Sequence, residues 1–172
     1  YKGHQGQIKK AATLIKNAKR PLIIAGAGVL KSGAMDELKE LAEKAQIPVT
    51  NTLVGLGGFP GNHELALGMV GMHGSVAANN STEEADLVIA AGIRFHDRIT
   101  GHPDFFCKKA KIIHIDIDPA EIDKNVTINV PIVGDLKRVL SELNTLVEPT
   151  THEAWIAQIR EWQAEYPMVI PE

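Results

Sequence analysis

Apolar residues in the first part of the chain follow two different spacings. Over residues 5–18 they lie three and four positions apart, which is the period of an α-helix. These positions are Ile8, Ala11, Ala12, Leu14, Ile15 and Ala18. The run 22–25 after Pro21 is continuously apolar and predicts a strand, and the pattern over 34–45 predicts a second helix with one apolar face.

The same alternation of strand and helix continues to the end of the chain. Residues 47–52, 86–92, 111–116 and 128–133 predict further strands, and residues 75–85, 135–146 and 152–166 predict helices. Continuously apolar strands separated by helices form parallel sheets covered on both faces. We therefore expect a doubly wound α/β fold with about six strands and helices on both faces.

One domain is expected over residues 1–150, followed by a connecting helix over residues 151–172. The sequence begins at Tyr1 and ends at Glu172, directly after an amphipathic stretch. We expect the chain to be part of a longer polypeptide, with the last helix leading to a C-terminal domain.

Composition excludes several classes of protein. The chain has 172 residues, 44% of them hydrophobic, and a formal net charge of −3. A chain of this length buries about 70% of its unfolded surface, which is sufficient for one core. The slight acidity argues against a nucleic-acid partner. The single cysteine, Cys107, and the lack of a 20-residue apolar run favour a soluble protein of the cytoplasm with no membrane partner.

The first candidate site follows the first predicted strand, at Gly26, Ala27 and Gly28. Small residues between a strand and a helix allow a tight turn and the close approach of a phosphate. Lys31 stands where the dinucleotide-binding pattern has its third glycine, and no acidic residue ends the second strand. A nucleotide site and a plain turn both remain open from these residues.

The second candidate site is the glycine-rich stretch over residues 67–75. It contains Met72, His73 and Gly74, and Ser75 is placed to cap the next helix. A backbone that wraps around a ligand and a capping loop with one buried histidine are both consistent with this pattern.

Two arginines form the third candidate site, just after the strand over 86–92. Arg94 and Arg98 lie four positions apart, and a guanidinium suits phosphate or carboxylate oxygens. A surface ion pair with Asp97 is the alternative. The spacing of His96, His102 and Cys107 fits no ordinary zinc pattern, so no metal site is predicted.

Two aspartates form the fourth candidate site. Asp116 ends a predicted strand, where a carboxylate can accept hydrogen bonds from ribose or adenine. Asp135 also follows a strand, and capping of the next helix is its alternative role.

Long motifs in this sequence resemble the middle domain of the acetolactate synthase (acetohydroxyacid synthase) catalytic large subunit. The resemblance rests on residues 71–74, 92–101 and 114–122, and it extends to 52–60 and 155–167. It implies a Rossmann-like nucleotide-binding domain of the DHS type. Two positions depart from the family pattern: His96 replaces the usual aspartate, and Ala27 often corresponds to a glycine.

The resemblance implies that this domain binds FAD, which has no net redox role in the family's reaction. That reaction decarboxylates pyruvate and condenses it with a second 2-oxo acid in branched-chain amino acid biosynthesis. The implied FAD contacts are Gly26, Ala27, Gly28, Thr52, Leu53, Met72, His73, Gly74, Gly92, Arg94, Arg98, Ile99, Asp116, Ile117, Glu121 and Asp135.

The resemblance also implies a substrate-binding role for two of these residues. Arg98, beside Met72, would hold the carboxylate of the second 2-oxo acid in a bidentate contact. Thiamine diphosphate and Mg²⁺ would be bound by the N- and C-terminal domains, so the domain alone would be inactive. The implied partners are those domains, a second or further copies in a homodimer or homotetramer, and a regulatory small subunit.

Two other functions remain open from the sequence. The chain resembles, less closely, the middle domains of other thiamine diphosphate carboligases and decarboxylases, some of which bind ADP or FAD. A flavin-free catabolic acetolactate synthase matches the glycine and arginine motifs poorly. A non-binding domain that only spaces its neighbours is the alternative from a different class.

Overall fold

Six parallel strands form one sheet in a computed structural model of the chain, which describes residues 5–52, 55–71, 74–93, 109–117 and 128–167. The strands are β1 (Pro21–Ala25), β2 (Val49–Asn51), β3 (Ala66–Met69), β4 (Leu87–Ala91), β5 (Lys111–Asp116) and β6 (Val130–Val133). Their order across the sheet is β3-β2-β1-β4-β5-β6, and every neighbouring pair is parallel. The predicted doubly wound α/β class is confirmed.

Helices cover both faces of this sheet. They are α1 (Gln5–Asn17), α2 (Ala27–Lys31), α3 (Met35–Ala45), α4 (Val76–Glu84), α5 (Leu136–Leu146) and α6 (Glu153–Glu165). Helices α1, α3 and α5 bury their apolar residues in one core cluster, and α4 and α6 contribute to a second. All five residues of β1 and of β4 are buried, which explains why these strands are continuously apolar.

Strand β3 is absent from the sequence prediction, which treated residues 67–75 as a glycine-rich loop. Residues of this strand pair with β2 at the edge of the sheet. Gly68 lies inside the strand with a φ of 84°, and the pairing register shifts between Val49 and Thr50. A short edge strand interrupted by glycine has no recognisable apolar period, so the sequence pattern did not reveal it.

At the amino end of the sheet, the connections are fixed by hydrogen bonds to charged and aromatic side chains. The Asp86 carboxylate accepts hydrogen bonds from the backbone N–H groups of Lys19 and Arg20, each at 2.8 Å. The Trp155 indole donates to the Pro21 carbonyl at 2.8 Å, and its side chain is 3% exposed. Trp155 thereby holds α6 against the start of β1.

At the other end, the sheet changes its winding direction between β1 and β4. Chain connections proceed outward from β1 toward β3 and from β4 toward β6. In sheets of this type the loops after the two central strands diverge, and a crevice forms between them. Within the described residues, no helix is long and apolar enough to cross a membrane.

Candidate functional site

The floor of this crevice is formed by backbone atoms of the loops that follow β1 and β4. The N–H of Gly26 donates to the Ala91 carbonyl at 2.9 Å, and the N–H of Gly28 donates to the Gly92 carbonyl at 3.0 Å. A Cβ on Gly28 would lie 2.6 Å from the Gly92 Cα, and a Cβ on Gly26 would overlap the Gly92 carbonyl. Contact between the two loops therefore explains these glycines, whether or not a ligand binds there.

Position 92 requires glycine for a further reason. Its φ is 66°, in the left-handed region, and its N–H donates to the Ile115 carbonyl of β5 at 3.0 Å. One residue thus connects the ends of β1, β4 and β5 at the switch point. An L side chain there would be strained by its backbone conformation and would also overlap Gly28.

The end of β2 brings buried polar side chains to the same edge. Thr52 is 4% exposed, its N–H donates to the Ala25 carbonyl at 3.0 Å, and its carbonyl accepts from the N–H of Gly55 at 3.0 Å. The Thr52 Oγ1 has no hydrogen-bond partner in the structure as described. Gly55 lies against the Ala25 carbonyl, where a Cβ would overlap it.

The loop after β3 is held by α4. The Asn79 side chain accepts from the N–H of Gly71 and donates to its carbonyl, both at 2.9 Å. Ser75 caps α4 as predicted, because its Oγ accepts from the Ala78 N–H at 3.0 Å. A Cβ on Gly74 would overlap the Met69 carbonyl, so the chain passes very close to the end of β3.

Two predicted aspartates lie at the last residue of β5 and shortly after β6. The Asp116 side chain is 13% exposed, and its Oδ2 lies 3.9 Å from Nε2 of the buried His114, whose nearer contact is the Ile93 carbonyl at 2.7 Å. The neighbouring residue Ile117 is 58% exposed. Asp135 caps α5 by accepting from the Arg138 N–H at 3.1 Å, which is the alternative role that the sequence left open.

The topology thus brings predicted residues from all six strands to one edge of the sheet. They are Gly26, Ala27 and Gly28 after β1, Thr52 after β2, Gly92 after β4, Asp116 and Ile117 at β5, and Asp135 after β6. Gly74 follows β3. Leu53, Met72, His73, Arg94, Arg98, Ile99 and Glu121 lie outside the described residues, as do His96, His102 and Cys107.

Asn51 is a further polar residue at this edge that sequence reasoning missed. It is the last residue of β2 and is 4% exposed. The available signal was a carboxamide at the end of a buried strand, in a position where an apolar residue is expected. Within the described part of the chain, no three histidine, aspartate or glutamate side chains lie close enough together to hold a metal ion.

Comparison with known proteins identifies relatives along nearly the whole chain. Residues 8–143 match the family described as "Thiamine pyrophosphate enzyme, central domain". The chain is 56% identical over 162 residues to a protein of Methanocaldococcus jannaschii named "Probable acetolactate synthase large subunit", covering 92% of this chain and 27% of that protein. It is 43% identical to the "Acetolactate synthase isozyme 3 large subunit" of Escherichia coli, covering 94% and 29%.

A solved structure shows the same fold. It belongs to a protein from Mycobacterium smegmatis described as a thiamin diphosphate-dependent enzyme, and it superposes with a TM-score of 0.74 at 24% identity, covering 87% of this chain and 29% of that one.

The chain spans somewhat more than a quarter of the length of the curated relatives it matches. The family match covers α1 through most of α5, including every strand of the sheet. The chain belongs to the family of thiamine pyrophosphate enzyme central domains.

Proposed function

We propose that this chain is the FAD-binding central domain of an acetolactate synthase large subunit. The identity to proteins of that name, over more than nine-tenths of the chain, supports the enzyme assignment. The observation that carries the FAD proposal is the convergence of the predicted contact residues at one sheet edge, at the switch point where such folds bind nucleotides.

The residues present suit a dinucleotide. In the crevice floor, Gly26, Gly28 and Gly92 pack backbone against backbone. Nucleotides bind at this switch point in folds of the same type. The Asp116 carboxylate is an acceptor for ribose hydroxyls or the adenine amino group. The free Thr52 hydroxyl adds a donor and an acceptor, with no partner elsewhere in the described structure.

In this proposal the chain binds and orients the flavin nucleotide and the second 2-oxo acid, and it does not itself break bonds. The backbone at Gly26, Gly28 and Gly92 supports the flavin nucleotide. The Asn79 side chain holds Gly71, the residue directly before Met72 and His73. Arg98 holds the carboxylate of the second 2-oxo acid, with Met72 beside it. Thiamine diphosphate, with Mg²⁺, supplies the carbanion chemistry when it is bound by other domains of the enzyme.

The remaining expectations belong to the same proposal. The chain acts with N- and C-terminal domains of a longer polypeptide, in a homodimer or homotetramer and with a regulatory small subunit, in the cytoplasm. Without the other domains it is catalytically inactive.

A flavin titration of the purified protein tests the proposal. Quenching of FAD fluorescence is followed as protein is added, with ADP as competitor, for the wild type and for Asp116→Ala. We expect saturable FAD binding by the wild type and an affinity about tenfold lower or more for the variant, because a hydrogen bond to a carboxylate contributes about 1.5–3 kcal/mol.

Asp86→Ala is the matched control, since it removes an aspartate at the opposite end of the sheet. Its FAD affinity should equal that of the wild type. Absence of FAD and ADP binding by the wild type would favour the spacer function, and ADP binding alone would favour another thiamine diphosphate enzyme.

A further inference from the structure

Asn51 lies where three strands end side by side. It is the last residue of β2, and the pairing register places it between Ala25 of β1 and Met69 of β3. Its backbone is satisfied there, because its carbonyl accepts from the Val70 N–H at 3.0 Å. The residues that follow Ala25 and Met69 are the glycine turn and the loop fixed by Asn79.

The Asn51 carboxamide oxygen is buried but has no hydrogen-bond partner in the structure as described. The residue is 4% exposed, and Oδ1 is fully shielded from solvent. Its neighbour Thr50, one position earlier and also buried, has its hydroxyl within 3.5 Å of the Ile23 carbonyl. An amide that loses its hydrogen bonds to water on burial, without replacement, destabilises the folded protein.

Glu37, Asn144 and His152 also have one buried polar atom without a hydrogen-bond partner. They differ from Asn51 because the second polar atom of each side chain has a partner. Glu37 pairs with Lys137, Asn144 donates to the Glu37 carbonyl, and His152 contacts the Ala18 carbonyl. Within the described structure, only Asn51 and Thr52 combine an unpaired buried atom with no side-chain partner at all, and both lie at the candidate site.

The chemistry of the unpaired atom limits what can satisfy it. A carboxamide oxygen accepts hydrogen bonds, so its partner must carry an O–H or N–H group. A phosphate at neutral pH offers only acceptor oxygens and cannot pair with Oδ1. Sugar hydroxyls and ring N–H groups of a flavin nucleotide can.

We propose that Asn51 is a ligand-positioning residue, whose carboxamide hydrogen-bonds a hydroxyl or ring N–H group of the flavin nucleotide held at the end of β2. This inference rests on the proposed function and adds to it a contact that places the sugar or ring portion of the ligand, rather than its phosphates, beside β2. The unsatisfied amide is tolerated because the bound ligand satisfies it.

The test compares Asn51→Leu with Thr50→Val. Leucine has nearly the shape of asparagine without its polar atoms, so the ligand-free variant should unfold at or above the wild-type temperature, while its Kd for FAD rises about tenfold or more. Thr50→Val removes a partnered hydroxyl one residue away and should leave the Kd for FAD unchanged. Asn51→Ala, which cannot overfill the space, gives the same loss of affinity if the leucine variant does not fold.

The outcomes separate the two proposals. If the wild type binds FAD and both Asn51 variants bind it equally well, Asn51 is not a ligand contact and the inference is overturned. A fall in the unfolding temperature of Asn51→Leu with unchanged FAD affinity also overturns the inference, and it assigns Asn51 a structural role. If the wild type binds no FAD, the proposed function fails and the inference fails with it.

Discussion

The two ends of the parallel sheet satisfy their polar groups in opposite ways. At the amino end, Asp86 accepts two backbone N–H groups and the Trp155 indole reaches the Pro21 carbonyl. At the carboxyl end, the buried polar atoms of Asn51 and Thr52 have no partner in the described structure, and the loops after β1 and β4 meet through glycines.

This difference agrees with the proposed function, in which the amino end stabilises the fold and the carboxyl end binds the ligand. A buried polar group that already has a partner lowers the free energy of the fold, whereas an unpaired one raises it until a ligand arrives. The amino end therefore fixes the first strand and the last helix. Under the proposed function, the carboxyl end keeps its hydrogen-bonding capacity for the ligand, at some loss of stability.

The largest effect on stability is expected from Trp155→Ala at the amino end. Removal of a buried indole leaves a cavity between α6 and the sheet, so the free energy of unfolding should fall by about 3–5 kcal/mol. Denaturant unfolding measures this loss. FAD affinity, measured on protein that is still folded, should not change, because α6 lies away from the ligand edge.

Trp155→Phe separates the hydrogen bond of this side chain from its packing. Phenylalanine keeps most of the buried area but cannot donate a hydrogen bond to the Pro21 carbonyl. The free energy of unfolding should therefore fall by about 1–3 kcal/mol. An equal loss for both variants would show that the indole N–H dominates. A loss below about 1 kcal/mol for Trp155→Ala would contradict the anchoring role of α6.

An intermediate effect is expected from Gly92→Ala at the carboxyl end, compared with Gly33→Ala. Both glycines have a φ in the left-handed region, at 66° for Gly92 and 67° for Gly33. A Cβ at Gly33 would meet nothing within 4 Å, whereas one at Gly92 would lie 2.6 Å from the Gly28 Cα. Gly33→Ala should cost about 1–2 kcal/mol from backbone strain alone.

Gly92→Ala carries the same strain and must also separate the loops after β1 and β4, so its loss should exceed that of Gly33→Ala by about 1–2 kcal/mol. Denaturant unfolding of the two variants gives this difference directly. Gly92→Ala should also weaken FAD binding, because the crevice floor moves. Equal stabilities and equal affinities for the two variants would show that the loop contact has no importance.

The smallest effect is expected from Asp86→Asn at the amino end. The amide keeps one acceptor oxygen and loses the charge, so one of the two hydrogen bonds from Lys19 and Arg20 should be lost. The free energy of unfolding should fall by about 1 kcal/mol. Thermal or denaturant unfolding measures the change. A loss larger than that of Gly92→Ala would reverse the contrast between the two ends.

Local patterns in the sequence predicted much of the fold. Ser75 before a helical segment predicted a capped helix, and the structure confirms both the cap and α4. The buried strands β1 and β4 were equally clear, because a run of apolar residues is sufficient to identify them. These features depend on neighbours in the sequence, which is why the sequence reveals them.

Features that depend on distant residues were not predicted. Position 26 requires glycine because a Cβ there would overlap the Gly92 carbonyl. Gly92 is 66 positions later in the sequence, and the winding of the sheet brings the two residues together. For Asn51, the sequence shows a polar residue at the end of a buried strand, but only the structure shows that its carboxamide oxygen has no partner. Among the candidate-site residues identified in advance, Asp116 came from its position at the end of a predicted strand, whereas Thr52 came from resemblance to a family.

The hydrogen bond between Trp155 and Pro21 has a consequence for biosynthesis. The two residues are 134 positions apart, so the carbonyl at the start of the first strand waits for its partner until nearly the whole domain has left the ribosome. At about 5–20 residues per second, that delay is on the order of ten seconds. During translation, the apolar face of the sheet that packs against α4 and α6 is therefore covered, among the described helices, only by α4 until α6 closes it.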